Sequence, residues 1–242
     1  MNRKALIAEF IGTFALIFIG VSAIATNHII KAGDVSQVDL LAIAVAHGLT
    51  IAVMVSATAA VSGGHLNPAV TFGALVGGKI DFKNAVAYII FQCLGGIFAA
   101  SLVKLCIPLE VLQAVDMGTP TLGKNITPSM GLVMEFIMTF FLVFVVFGTA
   151  IDRRAPKMGG LFIGLTVALD ILAGGAISGA AMNPARYLGP ALIRGGLQNF
   201  WLYWIGLLAG GGFAALVYHY LLEENSATIR GSNAPEIKSN IR

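Results

Sequence analysis

The sequence predicts an all-α membrane protein: six transmembrane helices plus two re-entrant half-helices in an inverted repeat. Three observations carry that prediction. Of 242 residues, 57% are hydrophobic and 11% charged, too little polar surface to coat a soluble globule of this size. Apolar stretches close to the ~20 residues that cross a hydrocarbon core occur six times. One block of sequence is also written twice, with its parts in the same order.

The first span is Ala5 to Thr26. It follows a basic start, as a cleaved signal peptide would. It is long for an apolar signal core, however, and carries Glu9, so it reads as the first membrane helix. Leu40 to Val61, Ala85 to Leu105, Met130 to Ile151, Gly159 to Ile177 and Phe200 to Leu222 follow. A bilayer interior gives no water to unpaired backbone groups, which makes each of them a helix.

The intervals Asn67 to Gly77 and Asn183 to Arg194 are apolar but only about half a span long. In each, Pro follows Asn directly. Asparagine is a favoured helix cap, and the first helical turn has no use for the amide that proline lacks. Both intervals therefore read as half-helices. The backbone leading into each is irregular at membrane depth, tolerated only inside protein or along a water-filled cavity, and that points to a pore.

Self-similarity orders these parts. Glu9-Phe-Ile-Gly-Thr-Phe recurs as Glu135-Phe-Ile-Met-Thr-Phe. Ser62-Gly-Gly-His-Leu-Asn67-Pro68-Ala69 is matched by Ser178-Gly-Ala-Ala-Met-Asn183-Pro184-Ala185, with Arg186 next. The single channel domain is 1–222, with repeats of about 1–105 and 129–222. Three spans per half is an odd number, so the second copy lies upside down. The two half-helices then enter from opposite faces and meet near the midplane with their positive dipole ends together. The polar tail 223–242 contains Pro235 and several charges and is expected to be disordered.

Arg3, Lys4, Lys79, Lys83, Arg153, Arg154 and Lys157 fall on one side with the tail's Arg230, Lys238 and Arg242. Lys31, Lys104, Lys124, Arg186 and Arg194 fall on the other. Both termini are therefore expected in the cytoplasm. The net charge of +3 follows from that bias and contains no nucleic-acid patch. Cys93 and Cys106 have no ligand spacing and read as packing residues. With His28, His65 and His219 scattered and no His-Glu-x-x-His run, the sequence implies no metal, no cofactor and no enzyme.

Two Asn-Pro-Ala motifs, the second followed by Arg186, resemble the aquaporin (major intrinsic protein) family. The resemblance runs from Lys4 to Leu222. The wording His47-Gly, Ser62-Gly-Gly-His and Ile171-Leu-Ala-Gly-Gly-Ala is closest to plant tonoplast intrinsic proteins. The chain departs from them in having no histidine between Cys106 and Pro128, and Tyr187 where a serine is usual. The resemblance implies a homotetramer with a pore in each subunit, passing water and small neutral solutes among membrane lipids. It implies that Asn67 and Asn183 each cap a half-helix through the side-chain oxygen while the nitrogen meets passing water. Oriented water and the positive dipole ends would oppose protons and cations.

By the same resemblance His47, Ile171, Ala180 and Arg186 form an outward-side selectivity filter. They lie twenty residues before Asn67, twelve before Asn183, six before Arg186 and directly after the second motif. A satisfied buried histidine is the other reading of His47, and an arginine snorkelling to headgroups the other reading of Arg186. The resemblance gives the buried carboxylates Glu9 and Glu135 a structural job, accepting backbone hydrogen bonds from the loop entering each half-helix. An acid/base pair is the competing reading, and nothing else in the chain supplies a nucleophile or metal. Asp170 stands where a small or neutral residue is expected: it either pairs with a neighbouring helix or draws cations toward the vestibule. Strict water channels of the family pair a filter phenylalanine with a fifth-span histidine. Here His47 and Ile171 take those places, so the filter is expected to be wider and to pass ammonia as well as water. A glycerol or urea facilitator is the alternative. Tyr187 and Ala191, in place of that group's usual Asp and Lys, and the Tyr203-Trp204 pair speak against it.

Overall fold

The computed structural model describes residues 2–31, 39–155 and 157–222, so the expectation for the tail lies outside the described residues. Among them the chain is helical, with no strand. In order come α1 (Arg3–Ile30), α2 (Leu40–Ser62), α3 (Pro68–Val76), α4 (Phe82–Cys106), a short α5 (Leu109–Ala114), α6 (Pro128–Val146), α7 (Gly159–Ser178), α8 (Pro184–Arg194) and α9 (Phe200–Val217). Helices α6 and α9 run on into wider turns, Phe147–Ile151 and Tyr218–Leu222. The six spans of the sequence are these long helices, the first five extended slightly beyond the apolar run and the sixth, with its terminal turn, matching it. Polar caps start three of them: Asn2 accepts from Lys4 N, Asp39 from Ala42 N and Asp81 from Asn84 N. A side-chain oxygen there satisfies a first-turn amide that has no intrahelical partner.

Six helices among the described residues are long and apolar enough to cross a membrane. Between 33% and 50% of each apolar window is buried within the chain. The remainder faces outward as side chains such as Ile7, Leu49, Phe98, Phe141 and Ile205, a surface that only lipid or another apolar chain can cover.

Helix α1 packs on α4 and α6 on α9 within each half, while α2 packs on α7 between the halves. Each half-helix lies against the last span of the opposite half, α3 on α9 and α8 on α4. Glycine makes that approach possible. A Cβ on Gly96 would lie 2.8 Å from the Ala185 carbonyl oxygen, and one on Gly211 would lie 2.8 Å from that of Ala69. Small residues let helix backbones meet where hydrocarbon offers no hydrophobic drive.

At the other end of the bundle, Asp152 and Arg154 form an ion pair in the α6–α7 connection. Tyr218 Oη donates to Asp152 at 2.9 Å, and Arg154 donates to the Leu222 carbonyl at 2.9 Å, tying the end of α9 to that loop. The hydrogen bonds from Arg154 hold the Asp152 carboxyl well below the usual carboxylate range.

Candidate pore and its constriction

The two loops that enter the half-helices are built alike. Gly63 and Gly179 end α2 and α7 in the left-handed region, at φ 90° and 82°. Gly64 and Ala180 follow at 64° and 42°, and Leu66 and Met182 at 52° and 49°. A left-handed bend at residues other than glycine persists only where its surroundings over-determine it. Here the determinants are two buried carboxylates. Glu9 accepts from Ser62 Oγ at 2.6 Å, His65 N at 3.0 Å and Leu66 N at 2.6 Å. Glu135 accepts from Ser178 Oγ at 2.7 Å, Ala181 N at 2.8 Å and Met182 N at 2.9 Å. Both glutamates are fully buried, so these donors replace the water that each has lost. Tyr88 and Tyr203 complete the pattern by donating to the carbonyls of Ser62 and Ser178.

Pro68 and Pro184 start the half-helices, and the preceding asparagines cap them. Asn67 Oδ1 accepts from Ala69 N at 2.8 Å; Asn183 Oδ1 accepts from Ala185 N at 3.0 Å and Arg186 N at 3.3 Å. The amide nitrogens cross between the halves, Asn67 Nδ2 donating to Met182 O at 2.8 Å and Asn183 Nδ2 to Leu66 O at 2.9 Å. The N-termini of α3 and α8 are thus joined head to head. A primary amide has two N–H groups, so one on each asparagine stays uncommitted. Both residues line a narrow cavity.

That cavity runs between α2, α6, α7 and the two loops, and only about 30 Å³ of it is open to the centre of a water molecule. Its apolar lining includes Ile51, Val55, Leu142, Val146, Ile163 and Val167, and its polar side chains are those of His47, His65, Asn67, Asn183 and Arg186. A wider vestibule of about 510 Å³ lies at one end, lined in part by Thr119, Pro120, Gly175 and Gly179. Among the described residues, four line both spaces: His47, Ile171, Ala180 and Arg186. The structure therefore brings together residues from α2, α7, the second loop and α8 where wide meets narrow.

Arg186 is 5% exposed and held from two sides. Its Nε donates to His47 Nε2 at 3.3 Å and its Nη1 to the Gly118 carbonyl at 2.8 Å. His47 Nδ1 lies 2.8 Å from the Ile43 carbonyl. A carbonyl only accepts, so Nδ1 carries the proton and Nε2 is left as an acceptor. His47 and Arg186 are accordingly one hydrogen-bonded unit. Gly20 on α1 leaves room for the imidazole, since a Cβ there would run into His47 Nε2.

Other residues are placed in ways their sequence context did not announce. Asp170 is buried on α7 and lines neither space, and its Oδ2 has no hydrogen-bond partner among the described residues. Tyr187 is fully buried, stacked on Tyr203 at 4.4 Å, and donates to the Gln198 carbonyl at 2.6 Å, so it stands outside the lumen. Gly118, which holds Arg186, lies in a connection without any repeated motif, and no spacing pointed to it.

A family model described as "Major intrinsic protein" matches residues 1–218. Among curated relatives, Aquaporin TIP4-4 of Zea mays is 44% identical over 220 residues, covering 89% of this chain and 85% of the relative. Aquaporin TIP2-3 of Zea mays is 45% identical over 224 residues, with 90% and 87% covered. Probable aquaporin TIP2-2 of Oryza sativa subsp. japonica is 44% identical over 225 residues, with 91% and 88% covered. Among solved structures, the aquaglyceroporin from Plasmodium falciparum superposes with a TM-score of 0.80 at 24% identity, covering 91% of this chain and 97% of that one. The shared architecture is a likeness of fold.

Proposed function

Because this chain belongs to the major intrinsic protein family and is an aquaporin-type channel, we propose that it conducts water passively and also passes ammonia. The observation that carries this reading is the convergence of His47, Ile171, Ala180 and Arg186 at the junction of vestibule and narrow cavity. These four are the selectivity filter. Water entering single file loses neighbours and needs replacement donors and acceptors. The uncommitted N–H groups of Asn67, Asn183 and Arg186 provide donors along one side. The abutting N-termini of α3 and α8 add a positive field at the two Asn-Pro-Ala motifs (Asn67, Pro68, Ala69; Asn183, Pro184, Ala185) that opposes cations and breaks proton relay. Glu9 and Glu135 are structural: their oxygens are occupied by loop donors, which leaves neither as an acid or base for chemistry.

Ammonia follows from the filter's walls. Ile171 is apolar and Ala180 small, while the one imidazole present is engaged with Arg186. A small, weakly hydrated solute meets less demand there than in a filter with a second hydrogen-bonding wall. A glycerol facilitator is disfavoured, since no Phe, Tyr or Trp ring stands among the four residues to hold a carbon chain, and the imidazole of His47 is engaged with Arg186. The Lys and Arg distribution supports a multi-pass protein with both termini cytoplasmic, and family membership together with the apolar outer face supports a homotetramer.

Stopped-flow measurements on proteoliposomes test the reading. Water permeability should rise well above that of empty liposomes, without ionic current, and ammonia flux should exceed the lipid background. The double change His47→Phe with Ile171→His should reduce ammonia flux and leave water flux. Ionic current with no added water flux would remove the channel reading. Ammonia flux at the lipid background would leave a strict water channel.

A further inference from the structure

We propose that Asp116 is a positioning residue for permeation: its ion pair with Arg194 clamps the Asp116–Gly118 turn onto α8, so that the Gly118 carbonyl holds the Arg186 guanidinium at the constriction. The inference rests on the reading of Arg186 as a filter residue.

Asp116, Met117 and Gly118 are three consecutive left-handed residues, at φ 54°, 56° and 65°. Two are not glycine, so the turn needs external support. Its internal hydrogen bonds are two, Gly118 N to Val115 O at 2.8 Å and Thr119 N to Asp116 O at 3.0 Å. Support from outside comes at three points. The Met117 side chain is 4% exposed in the hydrophobic core. Asp116 Oδ2 accepts from Arg194 Nη1, and Gly118 O accepts from Arg186 Nη1 at 2.8 Å.

Arg186 and Arg194 stand in the first and last turns of α8, an 11-residue helix. One short turn thus grips both ends of the element that carries the filter arginine. Arg194 is oriented for this by donating as well to Gly196 O at 3.2 Å and Gln198 Oε1 at 3.3 Å. If the clamp opens, Gly118 O moves away and the guanidinium keeps only His47 Nε2. Its freed N–H groups then turn to the water in the lumen and hold each molecule longer, so flux falls. The Asp116 side chain is 47% exposed against 13% for Arg194. The pair is therefore open to solvent and screening, and its effect should be modest and dependent on salt.

The test is stopped-flow water permeability per channel in proteoliposomes, at low salt and at about 1 M salt, osmotically matched. Asp116→Asn and Arg194→Gln should each lower permeability about two- to fivefold at low salt, asparagine being chosen because it tolerates a left-handed backbone. The double variant should be no worse than either single one, because both break the same contact. Arg194→Lys should keep most of the flux. Wild-type flux should fall toward the variants at high salt, while the variants themselves stay flat. Thermal unfolding of each purified variant separates a positioning effect from a damaged fold.

Single variants equal to wild type, additive losses in the double variant, or wild-type flux indifferent to salt would each overturn the clamp. The wild-type salt arm remains decisive if a variant does not fold. Wild-type liposomes without water flux would instead defeat the channel reading on which the inference rests.

Discussion

Arg186 places a permanent charge at the junction of vestibule and narrow cavity, and its two acceptors, His47 Nε2 and Gly118 O, are both neutral. Neither cancels the charge, so the field of the guanidinium reaches the lumen in a setting with little water to screen it. Replacement by valine removes charge and anchor together. Arg186→Val should keep water permeability within a few-fold of wild type, while proton or cation leak rises clearly in liposomes loaded with a pH-sensitive dye. The leak should stay partial, because Asn67, Asn183 and the two helix N-termini still oppose cations. Ion exclusion unchanged by the substitution would take Arg186 out of the filter. Arg186 and His47 were legible through the family resemblance that the neighbouring motifs carry. The sequence could not show that they bond each other, because 139 residues separate them and neither lies in a motif that names the other.

At the scale of elements, the two halves use one set of devices. A buried glutamate, a serine, a left-handed pair of residues and an asparagine cap recur in the same order, and the tyrosines on α4 and α9 close each loop in the same way. The copies differ beside the buried glutamate. Gln92 donates to Glu9 at 2.7 Å and to Thr71 at 2.9 Å, whereas Leu207 stands three residues before Gly210 as Gln92 does before Gly95. Close approach of helix to half-helix is the element-level requirement. At Gly211 the obstacle to any side chain is the Ala69 backbone oxygen, which cannot rotate away. Gly211→Val should therefore destabilise the fold by about 1–3 kcal/mol, the usual cost of overpacking, read as a lower thermal unfolding midpoint in detergent. A midpoint equal to wild type would mean that α3 and α9 have slack. The half-helices were readable because Asn followed by Pro and an apolar run of half a span are local signals. The short helix α5 and the turn after it had no such periodicity, and they take their shape from what they touch.

For the molecule as a whole, the apolar outer face has to be covered, and covering part of it with copies of the chain is the arrangement proposed above. Native mass measurement on protein extracted in mild detergent should give a mass four times that of the chain; a single-chain mass under the same conditions would remove the tetramer. By itself the sequence determined the membrane class, six spans and two half-helices, while its resemblance to a known family named the four residues found to line both spaces. It did so because hydropathy, capping and repeated motifs are recorded within a few neighbouring residues. Only the tertiary structure decided that Asn67 and Asn183 reach across to the opposite loops, that His47 presents its lone pair to Arg186, and that Gly118, 68 residues away in the chain, holds the other side of that guanidinium. Apart from the imidazole nitrogen of His47, those contacts depend on carbonyl oxygens, which every residue has, and on backbone bends set by surrounding elements. A backbone acceptor has no side chain to mark it, so its role comes into existence only when the chain is folded around it.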